Sequence, residues 1–266
     1  MDNKIAICMT TFLRNKLLYD NTRSIFDNWR DNFILLVADQ GYNIYENDKE
    51  KNEDWVAEKT EFISDNFGTD YSYYYFIPFD SGLSYGRNFL VNKAKEMGCE
   101  YCIVISDAFK FNETIHKIDI LTELLRNEPE LAIIGLHLND KLEWCWNIDK
   151  TPEKFMMSKI SNATSTFKGM SFVECEKINN FFIAKTDVLY NVKWDNDLKL
   201  FEHLDFFWRL KNSKGANKVL FTKDITATYI NNKPTIYNNY RKRMYMEFRN
   251  KVIVKYNLKT YAEYES

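Results

Sequence analysis

The chain contains the uninterrupted apolar run FILLVA at Phe33–Ala38, followed at once by Asp39-Gln40-Gly41. A run of this kind is typical of a strand covered on both faces, as in a parallel sheet with helices on each side. β-Rich runs also occupy residues 4–12, 73–79, 102–105 and 131–138, and segments with helical spacing lie between them at 15–29, 50–67, 84–97 and 113–127. This alternation predicts an α/β fold with a mostly parallel, doubly wound sheet flanked by helices.

The second half of the chain alternates less regularly. Residues 142–171 are polar and mixed, and we expect a loop-rich insertion there. We expect strands at 180–184 and 219–228, helical segments at 186–192 and from Phe201, and one closing helix at 240–256. Ser84 is the expected cap of the helix at 84–97. No repeat or linker divides the chain, which predicts one domain with a C-terminal helical extension.

The composition excludes several classes of protein. Of the 266 residues, 45% are hydrophobic and 16% aromatic, which is ample for a folded core, and the net charge is −2. A charge this small creates no general attraction to nucleic acid or to a membrane surface. No apolar run approaches the ~18 residues that a membrane span requires. Because Met1–Lys4 leads directly into a strand, we expect no signal peptide and a cytoplasmic location.

The chain has five cysteines, at positions 8, 99, 102, 145 and 175. Cys99 and Cys102 have the spacing of half a zinc site, but no second pair follows at the required distance. Cys102 also begins an apolar strand-like run. We therefore expect reduced, buried, structural thiols.

Polar side chains stand where four of the predicted strands end. Thr10 and Thr11 follow the first, and Asp39, Asp80 and Asp107 follow the next three. Ligands of open parallel sheets bind at the carboxyl ends of the strands, so these groups suggest a site for ribose hydroxyls and a cation. The glycine-rich signatures of dinucleotide-binding folds and of P-loops are absent from the sequence.

The segment Phe201–Lys211 (FEHLDFFWRLK) predicts a helix with two acids on one face. Glu202, Asp205 and Arg209 are spaced at i, i+3 and i+7, while apolar side chains beside them can pack the helix against a core. Carboxylates held on a packed helix suit a general base. The alternative is a solvated ion pair between Asp205 and Arg209.

Taken in order, these segments resemble the motifs of family 2-type GT-A glycosyltransferases over roughly the first 230 residues. The matching segments are the Thr-rich turn at 9–14, the acid-ended strand at 37–41, Gly-x-x-x-x-Arg-Asn at 82–88, Ser106-Asp107-Ala108 in the place of Asp-x-Asp, and the block at 202–210. Residues 180–187 also look like a strand of β-1,4-N-acetylgalactosaminyltransferase-like members. The resemblance implies a Rossmann-like GT-A catalytic domain at 1–230, with a basic, aromatic lid at 231–266.

The resemblance further implies a hexosyltransferase that moves a sugar from a nucleotide diphosphate sugar, with UDP favoured, to a hydroxyl of a glycan or glycoconjugate, with inversion. It implies a base in the block at 202–210, for which we take Asp205 first and Glu202 second. The implied donor-binding residues are Thr10, Thr11, Arg14, Asp39, Arg87, Asn88, Asp107, Arg241 and Arg243.

The Asp-x-Asp motif is incomplete, because Ser106 and Ala108 replace its flanking acids. One carboxylate binds Mn²⁺ or Mg²⁺ weakly, since hard cations take several oxygen ligands. Either the cation is held by Asp107 with His203, or Arg and Lys side chains neutralise the diphosphate instead. His203 could equally orient the base or be an ordinary helix histidine.

Three alternatives remain open. The missing acids suggest a sugar-nucleotide-binding protein without catalysis. A nucleotidyltransferase would share the sheet and carboxylates but would carry a Gly-rich phosphate loop, and Thr10–Arg14 contains no glycine. The basic, Tyr-rich tail suggests a viral type of glycosyltransferase acting on modified bases in DNA.

Overall fold

The computed structural model describes the backbone of residues 4–41, 49–139, 145–160, 165–230 and 235–265. Side chains at 49–56, 235–236, 241–242 and 263–265 are outside the description. The first half contains β1 (Ile5–Thr11), α1 (Asn15–Asp27), β2 (Phe33–Asp39), α2 (Lys49–Asn66), β3 (Ser72–Phe76), α3 (Leu83–Glu96), β4 (Tyr101–Ser106), β5 (Phe109–Phe111), a 3-10 segment (Glu113–Lys117), α4 (Ile118–Asn127) and β6 (Leu131–Asn139). The second half contains β7 (Trp146–Lys150), β8 (Phe155–Lys159), β9 (Ser165–Phe167), β10 (Met170–Cys175), β11 (Phe182–Lys185), α5 (Thr186–Val192), α6 (Glu202–Lys211), β12 (Lys218–Tyr229), α7 (Thr235–Arg243), α8 (Tyr245–Lys255) and β13 (Ala262–Glu265).

The described residues form one large sheet in the order β3-β2-β1-β4-β11-β6-β12-β10-β9, with β5 paired to β12. Strands β3, β2, β1 and β4 are parallel, as are β6 and β12. In register, Thr10 pairs with Ala38 on one side and Ser106 on the other. The carboxyl ends of β1, β2 and β4 therefore lie side by side, and the predicted mostly parallel α/β fold is confirmed.

The sheet separates two apolar clusters, one on each face. Along β1, Ala6 and Cys8 belong to one cluster and Ile5, Ile7 and Met9 to the other. Helices α3, α6 and α8 contribute to the first cluster, and α1 and α4 to the second. Both faces of the central strands are therefore buried against apolar side chains. This explains why their sequences are continuously apolar and do not alternate with polar residues.

Two predictions about helix ends are wrong. Ser84 does not cap α3, because the N-cap position is Gly82 and the Ser84 hydroxyl donates instead to the Leu198 carbonyl at 2.7 Å. The expected closing helix at 240–256 is divided into α7 and α8 at Met244. The first error arises because a contact from a remote segment competes with local capping preference.

The prediction of a loop-rich insertion at 142–171 is also wrong for the residues of that range that the structure describes. Strands β7 and β8 form an antiparallel hairpin, and β13 from the end of the chain pairs with β8 in parallel. Along β8, Phe155 and Met157 are buried in the core, whereas Met156 and Ser158 are partly exposed. This period-2 pattern was short enough to resemble a mixed polar loop.

The state of the cysteines and the lengths of the apolar helices can be compared with the sequence predictions. All five cysteines are buried and free of disulfides. In the parts of the chain that the structure describes, no helix combines the length and the apolar character that crossing a bilayer would take.

Candidate active site

A cavity of about 300 Å³ opens at the carboxyl ends of β1 and β2. Its lining combines strand ends (Thr10, Thr11, Gln40), the start of α3 (Gly82, Leu83), the loop before α6 (Lys199, Leu200), the first turn of α6 (Glu202, His203) and α7 (Tyr237, Tyr240). Tyr240 closes one wall by edge-on contacts with Phe12 and Phe79, at 5.5 Å between ring centroids in each case. The cavity therefore joins flat aromatic surfaces to polar strand ends, as ligand sites commonly do.

Arg14 and Asp107 form a buried ion pair beside this cavity. Arg14 precedes the first residue of α1 and lines the cavity, and its Nε donates to Asp107 Oδ2 at 3.1 Å while Nη2 donates to Oδ1. The hydroxyls of Thr11 and Ser106 also donate to the carboxylate, at 2.8 and 3.1 Å. Burial raises the pKa of Asp107, and the Arg14 charge opposes that shift. The carboxylate is thus fully enclosed by donors from this chain.

Glu202 enters the cavity from the first turn of α6. The preceding residue, Phe201, has φ +64°, an unusual conformation for a bulky side chain, and it turns the chain into the helix. Glu202 Oε1 accepts a hydrogen bond from Arg87 Nη1 at 3.0 Å, and both side chains are buried. Among the described residues, Oε2 has no hydrogen-bond partner. Arg87, whose guanidinium lies 5.4 Å from the ring centroid of Trp194, holds the carboxylate in place.

Asp205, one turn later on α6, does not line the cavity and is completely buried. Its carboxylate accepts hydrogen bonds from Arg209 Nε at 2.9 Å, Lys255 Nζ at 2.5 Å and the Tyr256 hydroxyl at 2.7 Å. Burial and the bond to Asp205 raise the pKa of Tyr256. The predicted Asp205–Arg209 pair exists, but it belongs to a partly buried network that fastens α6 to the end of α8.

His203 lines the cavity between these two acids on α6. Its Nε2 donates to the Ile178 carbonyl, while Nδ1 has no hydrogen-bond partner among the described residues. Burial lowers the pKa of His203 well below its ordinary value, and the positive charges of Lys177 and Arg87 act in the same direction. The imidazole is therefore neutral and carries its lone pair on Nδ1.

Two cations flank Asp80, the second carboxylate of the cavity lining after Glu202. Asp80 accepts a hydrogen bond from Lys199 Nζ at 3.1 Å and another from Arg243 at the same oxygen. Gly82 lies under Lys199 with φ +91°, and a Cβ at this position would stand 2.8 Å from Lys199 Cγ. Only glycine combines this backbone conformation with so close an approach. Lys199 belongs to no motif, so no signal in the sequence marked it.

Comparison with solved structures identifies the architecture. The structure of residues 1–349 of S. aureus TarS matches 94% of this chain and 74% of that chain, with a TM-score of 0.54 and 12% identity. The chain has a GT-A fold. GalNAc-T7, solved with UDP, GalNAc and Mn²⁺, matches 97% of this chain and 55% of that chain, with a TM-score of 0.60 and 10% identity. TarS 1–349 in complex with UDP-GlcNAc gives a TM-score of 0.56 at 12% identity over 88% of this chain and 60% of that chain. No protein-family model matches the chain.

Within this GT-A fold, two of the predicted donor-binding residues lie outside the cavity lining and also hydrogen-bond to residues outside it. Asp39 is completely buried, and its carboxylate accepts hydrogen bonds from Lys59, from the Tyr74 hydroxyl at 2.7 Å and from the Gly41 backbone N–H at 2.8 Å. Asn88 bonds to the backbone N–H and carbonyl of Trp194, at 2.8 Å each. Asp39 therefore stabilises the end of β2, and Asn88 fastens the segment that leads to α6.

The remaining predicted donor residues of the GT-A fold are divided between the cavity and its surroundings. Thr10, Thr11 and Arg14 line the cavity, whereas Arg87 contacts it through Glu202. Arg243 is exposed, reaches Asp80 and stacks on Tyr240 at 4.5 Å from the ring centroid. The side chain of Arg241 is outside the described residues.

The carboxylate of the predicted cation site is already engaged within the chain. Both carboxylate oxygens of Asp107 already accept hydrogen bonds, and its chain neighbours Ser106 and Ala108 are not acids. Across the described part of the chain, no three His, Cys, Asp or Glu side chains are grouped as a metal ion would require. Mg²⁺ sites of this kind use one or two carboxylates together with waters and substrate phosphates, and the Asp107 oxygens are already taken by donors of this chain, so this donor set does not fit bound Mn²⁺ or Mg²⁺.

Proposed function

We propose that the protein is a glycosyltransferase that moves a sugar from a nucleotide diphosphate sugar, with UDP favoured, to an acceptor hydroxyl. The observation that carries this proposal is a GT-A cavity whose lining includes the carboxylate of Glu202 and the cations Arg14 and Lys199. A transferase of this kind needs a base for the acceptor and positive charge for the departing diphosphate. The complexes of TarS with UDP-GlcNAc and of GalNAc-T7 with UDP support the choice of UDP.

Glu202 is the base in this proposal, in place of Asp205. Glu202 lines the cavity and keeps Oε2 available, whereas Asp205 lies outside the lining and accepts three hydrogen bonds from its own chain. The acceptor hydroxyl transfers its proton to Glu202 as its oxygen forms a bond to the anomeric carbon. The bond from that carbon to the diphosphate oxygen breaks, and the diphosphate leaves with the electron pair. Attack opposite the leaving group inverts the configuration.

Arg87 is a positioning residue in this mechanism. Its guanidinium is buried, and its bond to Glu202 Oε1 holds the carboxylate in one orientation. Holding a base at the correct angle lowers the entropic part of the barrier. His203 Nδ1 is available in the same cavity as a hydrogen-bond acceptor for a sugar hydroxyl.

A glycan or glycoconjugate acceptor fits this structure better than DNA. Most of the described cations of the C-terminal segment are paired with acids of the same chain: Arg243 with Asp80, Lys251 with Glu247, Lys255 with Asp195 and Asp205, and Lys259 with Glu153. Binding to a DNA backbone depends on Lys and Arg that are free to displace counterions. The expected result of gel retardation with duplex DNA is no shift at physiological salt.

The proposal is tested with a panel of sugar nucleotides. Thermal unfolding is recorded with UDP-, GDP- and dTDP-sugars, since a ligand bound only by the folded state raises the melting temperature by mass action. We expect the UDP-sugars to raise it most, with UDP released on incubation with an acceptor glycan. Binding without any release of UDP would support the non-catalytic alternative, and absence of binding across the panel would refute the proposal.

A further inference from the structure

The Asp107 carboxylate is occupied in a way that a metal ligand is not. Arg14 and the hydroxyls of Thr11 and Ser106 donate to it, and the side chain is completely buried. A carboxylate offers about four lone-pair sites, and these donors use them. A cation could reach Asp107 only after these hydrogen bonds had broken.

Arg14 is placed between Asp107 and the cavity. Two of its nitrogens, Nε and Nη2, are used by Asp107 and Ser106, whereas Nη1 has no hydrogen-bond partner among the described residues. The guanidinium lies 4.3 Å from the ring centroid of Tyr237, which restricts its movement. One edge of a fixed cation is therefore available at the cavity, and guanidinium N–H groups match the spacing of phosphate oxygens.

The second cation, Lys199, lies on the same cavity lining and is 32% exposed at its side chain. Its partner Asp80 is shared with Arg243, so this group of three carries one excess positive charge. Arg14 and Lys199 together offer the positive charge that a diphosphate needs. Both come from elements that the fold holds in place: the start of α1 and the loop that crosses Gly82.

We propose that this protein binds the donor diphosphate without a divalent cation. Two side-chain cations replace the metal: the Arg14 guanidinium, which Asp107 holds in place, and the Lys199 ammonium. This inference rests on the proposed function, since it concerns the donor of that reaction. Asp107 is then a positioning residue for Arg14. Positive charge that is fixed in advance stabilises a leaving diphosphate at no cost of reorganisation.

The first test measures UDP binding to the full chain by calorimetry, in EDTA, in Mg²⁺ and in Mn²⁺. The expected affinities agree within about threefold, a difference of about 0.7 kcal/mol. A larger gain in either metal would overturn the inference while leaving the proposed function intact. UDP that binds in none of the three buffers would refute the choice of UDP as the donor nucleotide, and the panel of sugar nucleotides described above would then decide whether the proposed function stands.

The second test removes the cation. Arg14→Met is expected to weaken UDP binding in EDTA at least about tenfold, and Mn²⁺ should not restore it. Arg14→Lys should bind UDP more tightly than Arg14→Met but less tightly than the wild type, because an ammonium keeps the positive charge but lacks the paired N–H donors of a guanidinium. Arg23→Met is the matched control, since Arg23 is an exposed arginine on α1 away from the cavity lining. Wild-type affinity in Arg14→Met would overturn the inference.

Arg14→Met leaves the buried Asp107 without its counter-charge, which endangers folding. The double variant Arg14→Met with Asp107→Asn removes both charges and is expected to fold, since the amide keeps an oxygen for the Thr11 hydroxyl. Its UDP affinity should fall as far as that of the single variant. If instead the double variant binds UDP as the wild type does, the diphosphate is neutralised elsewhere and the inference is wrong.

Discussion

The two acids of α6 differ in their expected effect on turnover, which a pair of isosteric variants can separate. Glu202→Gln removes the negative charge from the cavity but keeps a side-chain oxygen. That oxygen can still accept the hydrogen bond from Arg87, which is 3.0 Å long in the wild type. We expect turnover to fall at least about a hundredfold, equivalent to about 2.7 kcal/mol in the barrier, as for removal of a positioned base. The loss of charge leaves the buried Arg87 without its counter-charge, so we expect the free energy of unfolding to fall by about 3–5 kcal/mol.

Asp205→Asn is the matched control, because it makes the same chemical change one turn along the helix. The carboxylate accepts from Lys255 and Tyr256 at Oδ1 and from Arg209 at Oδ2. An amide has one acceptor oxygen, so its NH₂ group must face one of these donors. Breaking a buried ion pair costs about 3–5 kcal/mol, and we expect the lower end, because Lys255 and Arg209 keep partial access to water.

The assay measures release of UDP from the UDP-sugar that binds best, with kcat and KM determined separately, and urea unfolding supplies the stability. Both variants are expected to be destabilised, but only Glu202→Gln should show a large loss of kcat, whereas Asp205→Asn should keep a near-normal kcat. The reverse pattern, a stable but inactive Asp205→Asn beside an active Glu202→Gln, would refute the reasoning and return the base to Asp205.

Two other predictions concern the cavity. The pKa of His203 is lowered in the folded state, so the unfolded state binds more protons as the pH falls. The free energy of unfolding is therefore retained above about pH 6.5 and falls by up to about 1.4 kcal/mol per pH unit below that value. His203→Gln should flatten that decline in urea titrations at several pH values, whereas His116→Gln, at an exposed position, should not. Gly82→Ala places a Cβ 2.8 Å from Lys199 at φ +91°, and we expect about 1–3 kcal/mol of destabilisation with weaker UDP binding. A Gly98→Ala control tests the backbone cost alone, since φ is +72° there with open space around the position, and an equal effect on UDP binding would contradict the role of Gly82.

The central sheet was predictable because its signals are local. Strand β2 lies between two helical layers, so every residue from Phe33 to Ala38 is buried and its sequence is apolar throughout. Strand β13 pairs with β8 from the far end of the chain, and its sequence carries no apolar run. A pairing of that kind depends on how the intervening chain folds, which no local pattern records.

The sequence by itself placed two acids on one face of α6 and polar groups at the ends of β1, β2 and β4, because helical pitch and strand direction follow from local patterns. Tertiary structure alone decided which acid meets the cavity. The closing segment supplies Lys255 and Tyr256 to Asp205, while Arg87 from α3 holds Glu202 at the lining. Likewise, Asp107 was visible as a strand-end acid, but its partner Arg14 became evident only when β1 and β4 were paired in register. Residues that are equivalent in local pattern acquire different roles because long-range packing gives each a different set of neighbours.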